Sequence, residues 1–276
     1  MSQPNLLRRA LTPLFFHPLF SFPLFCAGLS EFNPRALGVD WKMWLYATGA
    51  VQLQLGVLSA LAADAAARGT PLPSLGALCI GACLSLFVAE YMWHEEVHLY
   101  TYDLFRERLG FKLLWGCLCW YPCFYAVPLL AVVGGSGDVT AGGAWAGVAL
   151  FLSGWVFTRG ANLQKFAAKT GAAGFLNGAV SMETVPGSGG RLLCGGFWGL
   201  SRHVNYAGEI TQAVALAALA SGAGGGAGAW AYPAYYVAIF LPRQADDDAM
   251  MAAKYGKKVW GAYEAAVPWK ILPGVY

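Results

Sequence analysis

The chain has 276 residues, of which 57% are hydrophobic and only 12% are charged. Soluble domains carry about 25% charged residues, so this composition excludes an ordinary water-soluble globular protein. The formal net charge of +3 is too small to indicate a nucleic-acid-binding protein. We therefore expect a membrane protein that has no nucleic-acid partner.

Apolar runs recur along the chain, and most are close to the ~20 residues that cross a bilayer as a helix. The first, Leu11–Leu29, contains three prolines and predicts a broken or re-entrant segment, with a kinked span as the alternative. Two late, short runs, Ile210–Gly222 and Trp230–Leu241, flank a glycine-rich stretch and predict a tight helical hairpin. The sequence thus predicts an all-α, polytopic membrane helical bundle with six or seven hydrophobic segments. The four long runs are Met43–Ala65, Ser74–Met92, Lys112–Val133 and Thr140–Phe157.

A short motif follows the second long run. His94-Glu-Glu-Val-His98 fits the H-E-x-x-H pattern, which places two histidines on one helical face around zinc. Zinc needs a third protein ligand, and neither His17 nor His203 stands at a recognised spacing. We favour a polar patch at the end of a membrane segment and predict no metal site. A zinc protease is the remote alternative.

In the last part of the chain, short polar clusters alternate with apolar runs. They occupy Gly160–Lys165, Gly196–Glu209, Pro242–Asp248 and Lys254–Gly256, with short apolar runs between them. In lipid, ionisable side chains are costly and normally mark a functional site. We therefore expect these clusters to form one composite site.

Basic residues predict the orientation in the membrane. Five lie between Arg159 and Arg202, and five lie between Arg243 and Lys270. The positive-inside rule places both groups on the cytosolic side, which requires an even number of crossings between them. The C-terminal cofactor region is therefore expected to face the cytosol. No cleavable signal peptide is evident near the N-terminus.

Several motifs in the C-terminal part resemble those of the membrane sterol reductases. That family reduces the C-14, C-7 or C-24(28) double bond of sterols and includes the reductase-like domain of lamin B receptor. The resemblance runs from about Glu90 to Tyr276. It implies a catalytic region over 90–276, preceded by N-terminal membrane segments over 1–89 that look shortened relative to the family. The motifs are Thr101–Phe111, Trp120–Tyr125, Arg159–Lys165, Gly196–Tyr206, Lys254–Gly256 and Val267–Tyr276.

The resemblance implies NADPH as the cofactor and a sterol that enters from the membrane lipid. No G-x-G-x-x-G motif follows a strand, so side chains would hold the cofactor phosphates. Lys165 and Lys169 would share one helical face for this purpose. Asp247 and Tyr125 match the positions expected to supply a proton to the alkene. The positions that match cofactor-binding residues are Lys165, Lys169, Trp198, Arg202, Asn205, Tyr206, Arg243, Asp247 and Tyr255.

The position of the reduced double bond depends on the shape of the sterol pocket. The segments Arg159–Asn162 and Trp269–Pro273 look like those of C-14 reductases, whereas Gly116-Cys-Leu replaces a Gly-Asp that C-14 and C-7 reductases often carry and keeps a C-24(28) reductase as an alternative. A C-7 reductase is the other alternative within the family. Asp246 stands where the family commonly has a basic residue, which would weaken phosphate binding. Two other classes remain: a non-catalytic membrane scaffold and an isoprenylcysteine-type membrane methyltransferase. In a eukaryote the endoplasmic reticulum membrane is expected, and the sequence predicts no oligomeric state.

Overall fold

The computed structural model describes residues 41–93, 126–133, 135–170 and 178–276. Leu11–Leu29, His94–His98, Tyr125 and most of Lys112–Val133 lie outside these residues. The described part is helical, and its one β-type pairing is an isolated bridge between Thr184 and Leu193. The helices are α1 (Trp41–Arg68), α2 (Leu75–Trp93), α3 (Ala141–Thr170), α4 (Val204–Ala220), α5 (Ala231–Tyr255) and α6 (Lys257–Ala266).

The chain divides into two compact units. The first comprises Met1–Val139 with Gly222–Gly225 and contains α1 and α2. The second comprises Thr140–Ser221 with Gly226–Tyr276 and contains α3 to α6. All the predicted site residues except Tyr125 belong to the second unit.

Two aspartates fix the turn between α1 and α2 in the first unit. The buried Asp64 carboxylate accepts hydrogen bonds from Arg68 Nε at 2.9 Å and from the backbone N–H of Ser74 at 2.8 Å. Asp138 accepts hydrogen bonds at 2.9 Å from the first two backbone N–H groups of α2. Helix N-termini leave such N–H groups without partners inside the helix, and a carboxylate is well suited to accept them. These contacts determine where α2 begins.

The predicted apolar segments that fall within the described residues correspond to helices, but two of these helices extend further than the sequence indicated. Helix α3 continues past Phe157 to Thr170 because residues 161–169 are rich in strong helix formers. Lys165 and Lys169 therefore both lie on this helix. Helix α5 likewise continues through Pro242 as far as Tyr255. A proline removes one intrahelical hydrogen bond, and contacts of the polar half of α5 with α4 compensate for that loss.

One helix among the described residues has the length and composition needed to cross a membrane. It covers Ala141–Lys169 and therefore corresponds to α3. Helix α2 contributes a shorter apolar stretch, Leu75–Phe87. The number of membrane segments remains a prediction.

Two glycines allow α3 and α4 to pack backbone against backbone. A Cβ added at Gly154 would lie 2.6 Å from the carbonyl oxygen of Gly208, and a Cβ at Gly208 would lie 2.5 Å from that of Gly154. Hydrogen bonds lie along the same interface between α3 and α4. Thr158 Oγ1 donates to the Asn205 carbonyl at 3.1 Å and accepts from Gln212 Nε2 at 3.2 Å. The start of α4, where the site residues lie, is thereby fixed against the middle of α3.

Substitution of Gly154 by alanine is expected to destabilise the protein. The new methyl group would overlap rigid backbone atoms of α4, and overpacking of this kind costs about 1–3 kcal/mol. Gly142→Ala on the same helix is the control, because no atom lies within 4 Å of a Cβ there. Unfolding of both variants in detergent micelles measures the difference. Equal stability of the two variants would contradict the close approach of the helices.

Candidate functional site

Gln164 joins the segment that precedes α4 to helix α3. This side chain is fully buried, and its Nε2 donates to the carbonyl oxygens of Ser181 at 2.7 Å and Gly195 at 2.9 Å. Its Oε1 accepts a hydrogen bond from the backbone N–H of Phe197 at 3.0 Å. One amide therefore satisfies three backbone groups that would be costly to bury without partners. The sequence analysis gave Gln164 no role of its own.

Trp198 and Lys165, both predicted to bind the cofactor, are in contact. Trp198 is buried, and its Nε1 donates to the Ala161 carbonyl on α3 at 2.8 Å. Lys165 Nζ lies 5.2 Å from the centroid of the Trp198 ring, within the range of a cation–π interaction. The ring therefore restricts where the Lys165 ammonium group lies.

The guanidinium group of Arg202 is buried among internal partners. Its Nη2 donates to Asp248 Oδ2 at 3.3 Å, and its Nη1 donates to the Val267 carbonyl at 3.3 Å. Nη1 also lies 3.6 Å from a Glu264 carboxylate oxygen, and the Trp260 ring centroid is 5.9 Å from the guanidinium carbon. These contacts tie the segment before α4 to α5, α6 and the residues that follow α6. A contact between Arg202 and the cofactor stays a prediction.

Asp248 also holds the neighbouring residue, His203. Its Oδ1 lies 2.9 Å from His203 Nε2, while its Oδ2 accepts from Arg202. The backbone N–H groups of Arg202 and His203 donate to the carbonyl oxygens of Trp269 at 2.9 Å and Lys270 at 2.8 Å. Asp248 was not predicted as a site residue, although it ends the polar cluster Pro242–Asp248. On a helix, the side chain four residues after Gln244 lies on the same face, but that this face is buried is known only from the structure.

A second cluster surrounds Tyr206, Asp247 and Arg243, three residues that the sequence analysis singled out. The Tyr206 hydroxyl donates to Asp247 Oδ2 at 2.6 Å, and Arg243 Nε lies 3.6 Å from the same oxygen. The Tyr206 ring stacks on Phe240 at 4.3 Å and on His203 at 5.2 Å, measured between ring centroids. Burial, together with the hydrogen bond to Asp247 and its charge, raises the pKa of Tyr206 above its usual value. The phenol therefore keeps its proton at neutral pH.

The remaining predicted cofactor residues lie nearby in the second unit. The carbonyl of Asn205 accepts from Thr158, which fixes its backbone at the start of α4. Tyr255 is half-buried against a cluster around Trp260, and Lys254 Nζ lies 5.2 Å from the centroid of its ring. Lys169 lies in the last turn of α3. Tyr125 lies outside the described residues.

Asp248→Asn is expected to lower stability much more than Asp246→Asn does. The amide would keep one acceptor oxygen but would face either Arg202 or His203 with an NH₂ group. Hydrogen bonds to charged groups contribute about 1.5–3 kcal/mol each. Asp246 is exposed and lies two residues earlier on the same helix, which makes it a matched control. Unfolding midpoints of the two variants test this, and equal values would show that the carboxylate bridge contributes nothing.

The chain matches a known family over nearly its whole length. Residues 25–276 match the Ergosterol biosynthesis ERG4/ERG24 family. The Delta(14)-sterol reductase of Methylotuvimicrobium alcaliphilum is 33% identical over 88% of this chain and 56% of its own length. The Delta(14)-sterol reductase of Arabidopsis thaliana is 30% identical over 89% of this chain and 64% of its own length.

A relative whose name states a different specificity is almost as similar. The 7-dehydrocholesterol reductase of Xenopus laevis is 29% identical over 89% of this chain and 53% of its own length. The chain thus spans between 53% and 64% of the length of these three relatives. Because the family match covers residues 25–276 and relatives align over almost nine-tenths of the chain, the protein belongs to the ERG4/ERG24 family of membrane sterol reductases.

Proposed function

We propose that the protein reduces a sterol carbon–carbon double bond, the one at C-14, with NADPH as the reductant. The observation that carries the proposal is the cluster in which Tyr206 and Arg243 both contact the Asp247 carboxylate. A proton donor for an alkene needs such a defined environment, and relatives named Delta(14)-sterol reductase support the choice of substrate. Relatives named 7-dehydrocholesterol reductase make the C-7 double bond the second candidate.

The side chains of the second unit fit a phosphorylated nucleotide. Lys165 and Lys169 lie one turn apart on α3 and share a face, and the positive charges of Arg191 and Lys254 act on Lys169. Cations of this kind suit pyrophosphate and phosphate groups. When bound, NADPH supplies the hydride. The residues that we propose to hold the cofactor are Lys165, Lys169, Trp198, Arg202, Asn205, Tyr206, Arg243, Asp247 and Tyr255. Arg202 also fixes the segment before α4, from which several of these residues project.

Asp247 is the residue that we propose as the proton donor. An isolated alkene accepts hydride poorly, so a proton must first add to one carbon and leave positive charge on the other. The group that gives up this proton becomes a carboxylate. The Tyr206 hydroxyl and the Arg243 guanidinium both stabilise that carboxylate, which favours the transfer once Asp247 holds a proton. The carboxylate must then take a new proton from solvent before the next turnover. We propose Tyr125, which lies outside the described residues, as a second member of the proton path.

The proposed setting is a multi-pass membrane protein whose cofactor region faces the cytosol. The sterol would reach the site from the bilayer, since its apolar body partitions there. Residues 1–89 would form membrane segments, and residues 90–276 would form the catalytic region. In a eukaryote the membrane would be that of the endoplasmic reticulum. The long apolar helix α3 supports a membrane location.

Turnover of defined sterols tests the reaction and its specificity together. The purified protein in detergent–lipid micelles is given NADPH and, in parallel, Δ8,14-, Δ7- or Δ24(28)-sterols. Cofactor oxidation is followed, and products are identified by mass spectrometry. We expect loss of the C-14 double bond from the Δ8,14-sterol. Cofactor binding without reduction of any sterol would contradict the proposed reaction, and absence of cofactor binding would favour a non-catalytic scaffold.

Asp247→Asn is expected to lower kcat strongly while it preserves the fold. Asparagine keeps an oxygen that accepts from Tyr206 but cannot act as a carboxylic acid, and general acid catalysis contributes about 10²–10⁴-fold to rate. Asp246→Asn, which removes an exposed charge one residue earlier, is the control. We expect the control to keep kcat much closer to that of the wild type, because the exposed Asp246 carboxylate forms no hydrogen bond or ion pair with another described residue. Similar kcat values for both variants would exclude Asp247 as the donor.

A further inference from the structure

The apolar surfaces that α3 and α5 expose end part of the way along each helix. Every exposed side chain of α3 within residues 145–157 is apolar, and residues 158–168 are buried or half-buried. On α5 the exposed side chains within residues 235–241 are apolar or aromatic, and the charged residues Arg243 and Asp246 follow soon after. Ionisable side chains are rare within the hydrocarbon core of a membrane. The ends of these two surfaces therefore indicate where α3 and α5 leave that core.

The C-terminal segment, residues 267–276, is attached close to both of these ends. On α5, Gln244 Nε2 donates to the Tyr276 hydroxyl oxygen at 3.2 Å, just beyond the exposed apolar stretch of that helix. The Trp269 carbonyl accepts a hydrogen bond from the backbone N–H of Arg202 at 2.9 Å. Arg202 precedes the start of α4, and that start is hydrogen-bonded to α3 just beyond the exposed apolar stretch of α3. The C-terminal segment thus lies near the place where α3 and α5 leave the hydrocarbon core.

Hydrogen bonds within the C-terminal segment fix its conformation. The backbone N–H groups of Lys270 and Ile271 both donate to the Tyr276 carbonyl at 2.9 Å, and the N–H of Tyr276 donates to the Leu272 carbonyl at 3.0 Å. The side chains of Val267 and Ile271 are buried, which holds one side of the segment against the rest of the unit. The remaining apolar side chains are therefore exposed by a fixed arrangement of the backbone, and their exposure is a property of the fold.

The exposed side of the C-terminal segment has the composition that membrane proteins place at lipid headgroups. Val275 is 76% exposed, and Trp269, Leu272 and Tyr276 are exposed as well. Tryptophan and tyrosine are enriched at the boundary between membrane and water. Lys270 is the one charged side chain of the segment, and its Nζ lies 5.0 Å from the centroid of the Tyr276 ring. A lysine at such a boundary keeps its carbon stem among apolar groups while its ammonium group reaches the lipid phosphates.

We propose that the C-terminal segment lies in the headgroup region of the membrane and that its Leu272 and Val275 side chains contact phospholipid there. A soluble protein partner could bind an apolar patch anywhere on the surface. Lipid, in contrast, requires the patch to continue the apolar surfaces of the membrane helices, as the exposed surfaces of α3 and α5 do here. Contact with lipid removes both side chains from water, which is favourable in proportion to their apolar area. The contact does not depend on which reaction the protein catalyses.

Photo-crosslinking identifies the partner of the C-terminal segment directly. The photoreactive residue p-benzoylphenylalanine replaces Val275 in the full chain, the protein is irradiated in phosphatidylcholine nanodiscs, and its adducts are identified by mass spectrometry. Val237, which is exposed on the apolar part of α5, is the positive control position. Ala253 is the negative control position, because it is exposed and lies about 14 Å beyond Gln244 along the same helix. We expect phospholipid adducts at Val275 and Val237, and none above the dark background at Ala253.

The adducts formed at Val275 distinguish lipid from protein as the partner. Crosslinks from Val275 to another segment of this chain, or to a second copy of it, without any phospholipid adduct would overturn the proposal. Absence of lipid adducts at Val275 while Val237 forms them would overturn it too. Equal yields of lipid adduct at Val275 and Ala253 would also contradict it, because the segment would then lie no closer to lipid than a residue on the polar part of α5.

Charge substitutions at Val275 provide a second measurement that needs no photoreactive residue. Val275→Lys and Val275→Asp are compared by their unfolding midpoints in phosphatidylcholine nanodiscs and in dodecyl maltoside micelles, whose headgroups carry no phosphate. Lipid phosphates attract a lysine and repel a carboxylate, so we expect Val275→Asp to have the lower midpoint in nanodiscs. The difference between the two variants should shrink in the micelles. A difference of the same size in both environments would overturn the proposal, since charges of the protein itself, such as Lys270, would then account for it.

Discussion

The Asp248 carboxylate is the contact on which the arrangement of the second unit depends. One of its oxygens contacts the Arg202 guanidinium and the other contacts the His203 imidazole. Both of those residues are buried, and burial of a polar or charged group is costly unless it is hydrogen-bonded. The segment before α4 can therefore be buried because α5 supplies this carboxylate as the hydrogen-bond partner.

The adjacent residue on α5, Asp247, contacts a different part of the chain from Asp248. Successive side chains of a helix point about 100° apart, so Asp247 meets the first turn of α4 while Asp248 meets the residues before it. Asp247 then contacts Tyr206, whose ring is stacked between Phe240 and His203. The position of the Tyr206 hydroxyl thus depends on the contact between Asp248 and His203. Asp248 and the proposed proton donor, Asp247, are adjacent in the chain because both contact residues at the N-terminal end of α4 or just before it.

The sequence was sufficient for the parts of this arrangement that depend on composition and local pattern. Low charge and apolar runs predicted a helical membrane protein, and the motifs indicated Tyr206, Arg243 and Asp247 before their contacts were known. The roles of Gln164 and Asp248 depend on backbone groups and side chains that are distant in the chain. No periodicity specifies such partners, because a buried hydrogen bond is defined only once the helices have packed. The end of α5 was missed for the same reason. The extension of α3 follows instead from the helix formers in residues 161–169, which the apolar runs alone did not include.

The glycines between α3 and α4 explain how these polar groups come within hydrogen-bonding distance of one another. Helices that meet through large side chains have axes about 8–10 Å apart, which leaves short polar side chains too far from the opposite backbone. At Gly154 and Gly208 there is no Cβ, so the two backbones are in direct contact. Thr158, one turn beyond Gly154, can then reach the carbonyl of Asn205 with its short side chain. Asn205 precedes Tyr206, so the close approach of the two helices also determines where Tyr206 lies along α3. Tyr206 is the residue that contacts the proposed proton donor, Asp247.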